Sequence, residues 1–144
     1  MGASIKVSGD VCAKLTEHGR RDLAFECCGL LAGRDGVITH VFPAKNVAPD
    51  PAKNYEIDPR ETVRLLREFR EQELEFLGIY HSHPNGKNEP SARDIDLAYY
   101  SEAIYFIVSP LADAPKPVRA FSVRDGRAEE CEIEIRQLPP ARKA

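Results

Sequence analysis

Residues 76–96 constrain this chain more than any other stretch. Phe76, Leu77, Ile79 and Tyr80 form an apolar run that reads as a strand, and it ends in His81-Ser82-His83-Pro84. In an extended backbone alternate side chains share a face, so His81 and His83 point the same way with Cα atoms roughly 6.5 Å apart. Two imidazoles at that spacing can converge on one divalent metal at N–metal distances of about 2.0–2.1 Å. Pro84 has no N–H for a further rung, so the strand stops there. The polar residues 85–90, with Gly86 and Pro90, read as a surface connection. Ser91-Ala92-Arg93-Asp94 then has the form of a helix N-terminus, a hydroxyl followed three residues later by a carboxylate. Asp94 is thereby placed in the first helical turn, on a short tether from the histidines. Two histidines and one carboxylate leave a fourth position for water, the pattern of a catalytic zinc site.

Taken singly, each piece has a plainer reading. A His-x-His at a strand end also serves as polar decoration, and Ser91 to Asp94 also serves as a cap and nothing more. The two roles of Asp94 are compatible, because a carboxylate has two oxygens, one for the cap N–H and one for a metal.

Taken together, His81-Ser82-His83-Pro84, a six-residue spacer and Ser91-x-x-Asp94 resemble the signature of the JAMM metalloproteases, also called the MPN+ or JAB family. Upstream, Glu26-Cys27-Cys28-Gly29-Leu30-Leu31-Ala32-Gly33 resembles the Glu-x-Cys-Gly-Leu-Leu-x-Gly of the small stand-alone prokaryotic members. The resemblance spans roughly residues 5–125 and fills every position of the motif. It implies zinc held by His81, His83 and Asp94, Glu26 as general acid/base and Ser91 as a stabiliser of the oxyanion. It further implies a cytidine-deaminase-like MPN/JAB fold. The activity implied is hydrolysis of a peptide or isopeptide bond at the C-terminus of a ubiquitin-like or sulfur-carrier (β-grasp) protein. The tail of that partner would lie extended beside the site, and residues 43–58 would border the groove. Ser82, between the histidines, faces the other side of the strand, where its hydroxyl suits a bond to nearby backbone.

At 144 residues one domain is expected, drawn as residues 1–138, with residues 139–144 as a disordered tail. Hydrophobic content of 42% and charged content of 30% are ordinary for a soluble globular protein. The net charge of −3 and the lack of a concentrated basic run argue against a phosphate-binding surface, so nucleic acid is not an expected partner. No stretch approaches the roughly 20 apolar residues of a membrane span, and Met1 to Lys6 lacks a signal-peptide core, so the cytoplasm is the expected location. Cys12, Cys27, Cys28 and Cys131 have no Cys-x-x-Cys spacing and read as free, buried thiols; a structural zinc held by the four is the lesser reading. Cys27 and Cys28 should face opposite sides of a strand.

In chain order, residues 5–7 read as a short strand and residues 8 or 10 to about 21 as a helix with Val11 and Leu15 inward; His18 is placed either inward or in solvent, and the solvated place fits its charged neighbours better. Residues 25–32 read as a buried strand. Glu26 at its start is either an exposed strand-end carboxylate or a buried one with a partner or a raised pKa. Arg34-Asp35-Gly36 makes a hairpin turn into residues 37–42, with His40 as a face residue. Asp58-Pro59-Arg60-Glu61 starts a helix whose apolar side carries Val63, Leu66, Phe69 and Leu74. Residues 92 to about 101 read as a helix, residues 104–108 as a central strand, and residues 118–123 and 128–135 as a hairpin across Arg124-Asp125-Gly126. The order of elements gives α+β, a single-domain α-β-α sandwich around one mixed, curved sheet. Two other functions fit the residues: a non-catalytic MPN-type binding scaffold, and a thiol hydrolase using Cys27 or Cys28 with a histidine base.

Overall fold

The strand that carries His81 and leads into His83 is the fourth of seven in the sheet. The computed structural model describes residues 3–137. The expected tail lies outside the described residues. In chain order the elements are β1 (Ser4–Ser8), α1 (Val11–Arg21), β2 (Cys28–Arg34), β3 (Val37–Ala44), α2 (Pro59–Glu71), β4 (Glu75–Ser82), α3 (Ala92–Asp96), β5 (Ile104–Val108), β6 (Val118–Arg124) and β7 (Arg127–Arg136). The strands follow the order β1-β3-β2-β4-β5-β6-β7. The sheet is mixed: β1 runs parallel to β3 and β7, and β4 parallel to β5, while the other pairs are antiparallel. Its curvature goes as far as closure, because β1 pairs along its whole length with β7.

Period-two alternation divides the apolar residues between two cores. Val7, Leu31, Ile38, Tyr80, Phe106, Ala120 and Cys131, drawn from all seven strands, line the inner face and pack against Val11 and Leu15 of α1. Their sequence neighbours Leu30, Ile79, Tyr105, Ile107 and Phe121 face outward and pack under Leu65 and Phe69 of α2. The two helices therefore cover opposite faces of one sheet, as the α-β-α reading expects. Both Asp-Gly turns adopt the left-handed backbone of a tight hairpin, with φ of 55° and 77° at Asp35 and Gly36 and 53° and 73° at Asp125 and Gly126.

Four expectations need correction. The helix expected to reach residue 101 ends at Asp96; the aromatic pair Tyr99-Tyr100 is a weak helix former, and the chain must turn at once to feed β5, with the Tyr100 N–H donating to the Tyr105 hydroxyl at 3.0 Å. On α2 the buried stripe is Leu65 and Phe69, one turn apart, with Leu66 partly buried beside them, while Val63 is 55% exposed. The strand expected over residues 25–32 begins only at Cys28, because the Glu26 N–H turns to the Pro51 carbonyl at 2.8 Å. His18 is half-buried and not solvated: its Nδ1 lies 2.8 Å from the Tyr80 hydroxyl.

Candidate active site

β4 delivers His81 and His83 to one place. His81 pairs with Cys28 on one side and Ile107 on the other, which fixes the strand up to its last residue, Ser82. Ser82 turns inward as expected: its hydroxyl accepts the Cys27 N–H at 2.9 Å, and its own N–H donates to the Cys27 carbonyl at 3.0 Å. The two imidazoles meet with their Nε2 atoms 3.0 Å apart. Asp94 arrives from the first turn of α3, and its Oδ2 lies 3.3 Å from His81 Nε2 and 3.1 Å from His83 Nε2. Glu26, only 5% exposed, comes from the lead-in to β2, and it, His81 and His83 present ligand-capable atoms within 4.8 Å of one another. Glu26, His81, His83 and Asp94, four of the five residues marked in the sequence, thus come together.

Ser91 caps α3 in a full capping box. Its hydroxyl accepts the Asp94 N–H at 3.0 Å, and its N–H donates to Asp94 Oδ2 at 2.9 Å. The expectation of one carboxylate oxygen for each role is corrected here: the oxygen facing the histidines is also the capping oxygen. Two lone pairs on one oxygen allow it.

The ring nitrogens away from the centre differ. His83 Nδ1 meets the Lys87 carbonyl, which fixes the tautomer and leaves a lone pair on the inward Nε2. His81 Nδ1 is buried and has no partner among the described residues. Stacking orients that ring, because Tyr55 lies over it with centroids 4.3 Å apart and planes 19° apart. Tyr55 is a site residue that the sequence did not mark; it reaches His81 only because residues 46–57 fold back over the sheet.

Burial dominates the electrostatics. It pushes the Glu26 carboxyl up to about 7, with His83 opposing and Asp94 adding. It lowers the His81 imidazole. In His83 burial works downward but is outweighed by the bonds that the protonated ring donates, from Nε2 to Asp94 and from Nδ1 to the Lys87 carbonyl, and the net shift is upward. In Asp94 burial works upward, yet the bonds from His81 and His83 hold the carboxyl far below the usual range. Of the two open readings of Glu26, the buried carboxylate with a raised pKa is the observed one. Burial also raises both Cys27 and Cys28, so neither is an activated thiolate.

The arrangement fits a metal ion. Four-coordinate zinc with bonds of about 2.0–2.1 Å separates its ligand atoms by about 3.3–3.4 Å. The three inward atoms of His81, His83 and Asp94 are separated by 3.0, 3.1 and 3.3 Å. A buried Glu26 Oε1 with no partner among the described residues stands beside them. A cleft of about 480 Å³ opens next to the centre and is lined by Tyr55, Ile57, Val63, Asp94, Leu97 and Tyr100 among others.

A closed mixed sheet between two helices, with this cluster at the end of its middle strand, defines a hydrolase domain of the JAB/MPN type. The model of the prokaryotic homologues of the JAB domain matches residues 9–124, and the chain belongs to that family. A desampylase of Haloferax volcanii is 35% identical over 112 residues, which cover 74% of this chain and 81% of the relative. The CysO-cysteine peptidase of Mycobacterium tuberculosis is 29% identical over 132 residues, covering 90% of this chain and 89% of that one. A protein of Desulfitobacterium hafniense, solved in solution, superposes with a TM-score of 0.81 at 32% identity, covering 94% of this chain and 95% of that one.

Proposed function

We propose that this chain is a zinc-dependent peptidase or isopeptidase that cuts at the C-terminus of a ubiquitin-like or sulfur-carrier protein of the β-grasp type. The observation that carries the reading is the convergence of His81 Nε2, His83 Nε2 and Asp94 Oδ2 within 3.0–3.3 Å, with the Glu26 carboxyl alongside. The relatives, named a desampylase and a CysO-cysteine peptidase, support the choice of substrate class. The cleft beside Asp94 supports an extended tail as the part of the substrate that is held.

His81, His83 and Asp94 hold the metal. Zinc held there would supply Lewis acidity, lowering the pKa of a water towards about 7 and polarising a carbonyl. Glu26 takes the proton from the attacking water and returns it to the departing amine, the work of a positioned general acid/base. Ser91 accepts the Asp94 N–H through its oxygen, so its own proton remains to be donated to the oxyanion that develops on the substrate. The cytoplasm is the proposed location, and among the described residues no helix is long and apolar enough to cross a membrane. The alternatives are weaker on specific grounds. A scaffold needs none of the converging atoms, and a thiol hydrolase needs a thiolate that burial of Cys27 and Cys28 opposes.

Glu26→Gln tests the reading, because the amide keeps the shape and cannot carry the proton. The substrate is a ubiquitin-like protein ending Gly-Gly, joined by its carboxyl to the ε-amine of a fluorescent lysine peptide. Turnover should fall by about 10²–10⁴ with zinc content and folding retained. Equal rates would remove Glu26 from the chemistry, and zinc loss would make it a ligand.

A further inference from the structure

The segment between β3 and α2 is irregular, yet one side chain organises it. Asn46 Nδ2 donates to the carbonyl of Glu26 at 2.9 Å and to that of Asn54 at 2.9 Å, with the Pro51 carbonyl at 3.4 Å. Its Oδ1 accepts the N–H of Ala48 at 3.0 Å and of Glu56 at 3.1 Å. The carboxamide thus acts as an extra peptide unit, bonded to the chain on both sides of Tyr55 and to the lead-in of β2. Backbone bonds continue the seam: the Val47 N–H donates to the Glu56 carbonyl and the Glu26 N–H to the Pro51 carbonyl, both at 2.8 Å. Both backbone polar groups of Glu26 are therefore held by this one loop, its C=O by Asn46 and its N–H by Pro51. The Glu26 side chain, by contrast, has an oxygen with no partner among the described residues. Its aim is set by its backbone and by packing.

We propose that Asn46 is a positioning residue for the reaction, fixing the backbone that aims the Glu26 carboxylate at the centre. This rests on the reading of Glu26 as the proton carrier. The metal-holding residues come from β4 and α3, which the carboxamide does not touch. Its link to them is Tyr55, stacked on His81, and His81 is held independently by its strand pairing with Cys28 and Ile107, so loosening Asn46 should disturb proton transfer and leave the metal bound. A displacement of about 1 Å in a reacting group can cost about 10²-fold in rate.

The test is a double-mutant cycle of Asn46→Ala with Glu26→Gln, using the same lysine-peptide conjugate, with zinc content and thermal midpoint measured for every protein. Asn46→Ala alone should lower kcat by about 10²-fold with KM within about twofold and zinc retained. In the Glu26→Gln background it should change kcat by less than about twofold, because the group it positions is already disabled. Asn46→Ser is the second variant: its hydroxyl puts no charge among the carbonyls and is too short to bond both the Glu26 and the Asn54 carbonyl, so it should show the same pattern if Asn46→Ala fails to fold. An equal loss in both backgrounds, unchanged turnover, or a loss of zinc would overturn the proposal. Failure of the functional reading shows separately, as full activity of Glu26→Gln on its own, and that result removes the route through Glu26 as well.

Discussion

Oδ2 of Asp94 accepts the Ser91 N–H at 2.9 Å and faces both histidine Nε2 atoms, so the fold of a five-residue helix and the charge at the centre depend on one atom. A carboxylate oxygen bonded this way is held before any metal arrives, and the bonds from His81 and His83, with a smaller share from the Ser91 N–H, keep its pKa low against burial. The two adjacent cysteines show the opposite use of burial. Cys27 packs in the inner core, and Cys28, fully buried, directs its Sγ at the Ala44 carbonyl at 3.7 Å. Burial raises both thiols, and reaction with an alkylating agent requires the thiolate. Iodoacetamide should therefore label neither cysteine in the native protein at pH 7.5 on the timescale that labels both in denaturant, and turnover should survive the treatment. Rapid native labelling of Cys27 or Cys28 with parallel loss of activity would favour the thiol mechanism instead.

At the scale of elements, the candidate site divides by how local its signals are. His81, His83 and Asp94 share one strand, loop and cap, where alternation and cap chemistry predict the geometry directly. Glu26 could be marked by position, but its burial depends on the loop that ends in α2. Tyr55 and Asn46 carried no signal of their own, because stacking on His81 and bonding to the Glu26 carbonyl are tertiary events. An Asn in an irregular stretch suits side-chain bonding to backbone in general, but which backbone groups it reaches is decided by the fold. The buried stripe of α2 was misplaced for a related reason. Val63 lies on the helix side that lines the cleft, and Leu65 on the side that meets the sheet. Leu65→Ala should cost about 2–5 kcal/mol in urea unfolding, the range for truncating a buried leucine. Val63→Ala should stay within about 0.5 kcal/mol, as an exposed substitution does. Reversed magnitudes would contradict the assigned face.

For the molecule as a whole, the α-β-α layering was legible in the order of elements, whereas the closure of the sheet was not. β1 and β7 lie at opposite ends of the chain, and no local pattern specifies their register. Folding leaves titratable groups buried. Cys27, Cys28 and Tyr80 are all buried, and burial raises the pKa of each. The sign follows from linkage. Above about pH 8.5 an unfolded chain begins to release thiol protons, and above about 10 phenol protons, that the folded chain keeps. Stability is therefore fully present below about pH 8.5 and falls as pH rises beyond it. Thermal midpoints between pH 7 and 10.5 should decline on the alkaline side; a flat profile would mean these groups titrate in the fold as they do in the unfolded chain.

The central claim is that His81, His83 and Asp94 form a zinc centre on which hydrolysis depends. It is tested most directly by metal analysis of the purified protein beside a His81→Ala, His83→Ala double variant, each assayed on the ubiquitin-like conjugate before and after chelation. The wild type should carry about one zinc per chain, in line with a single tetrahedral site. It should lose activity with a chelator and regain it with added zinc, while the double variant stays folded, metal-poor and inactive. A double variant that keeps its full zinc, or wild-type turnover that ignores the chelator, would contradict the account.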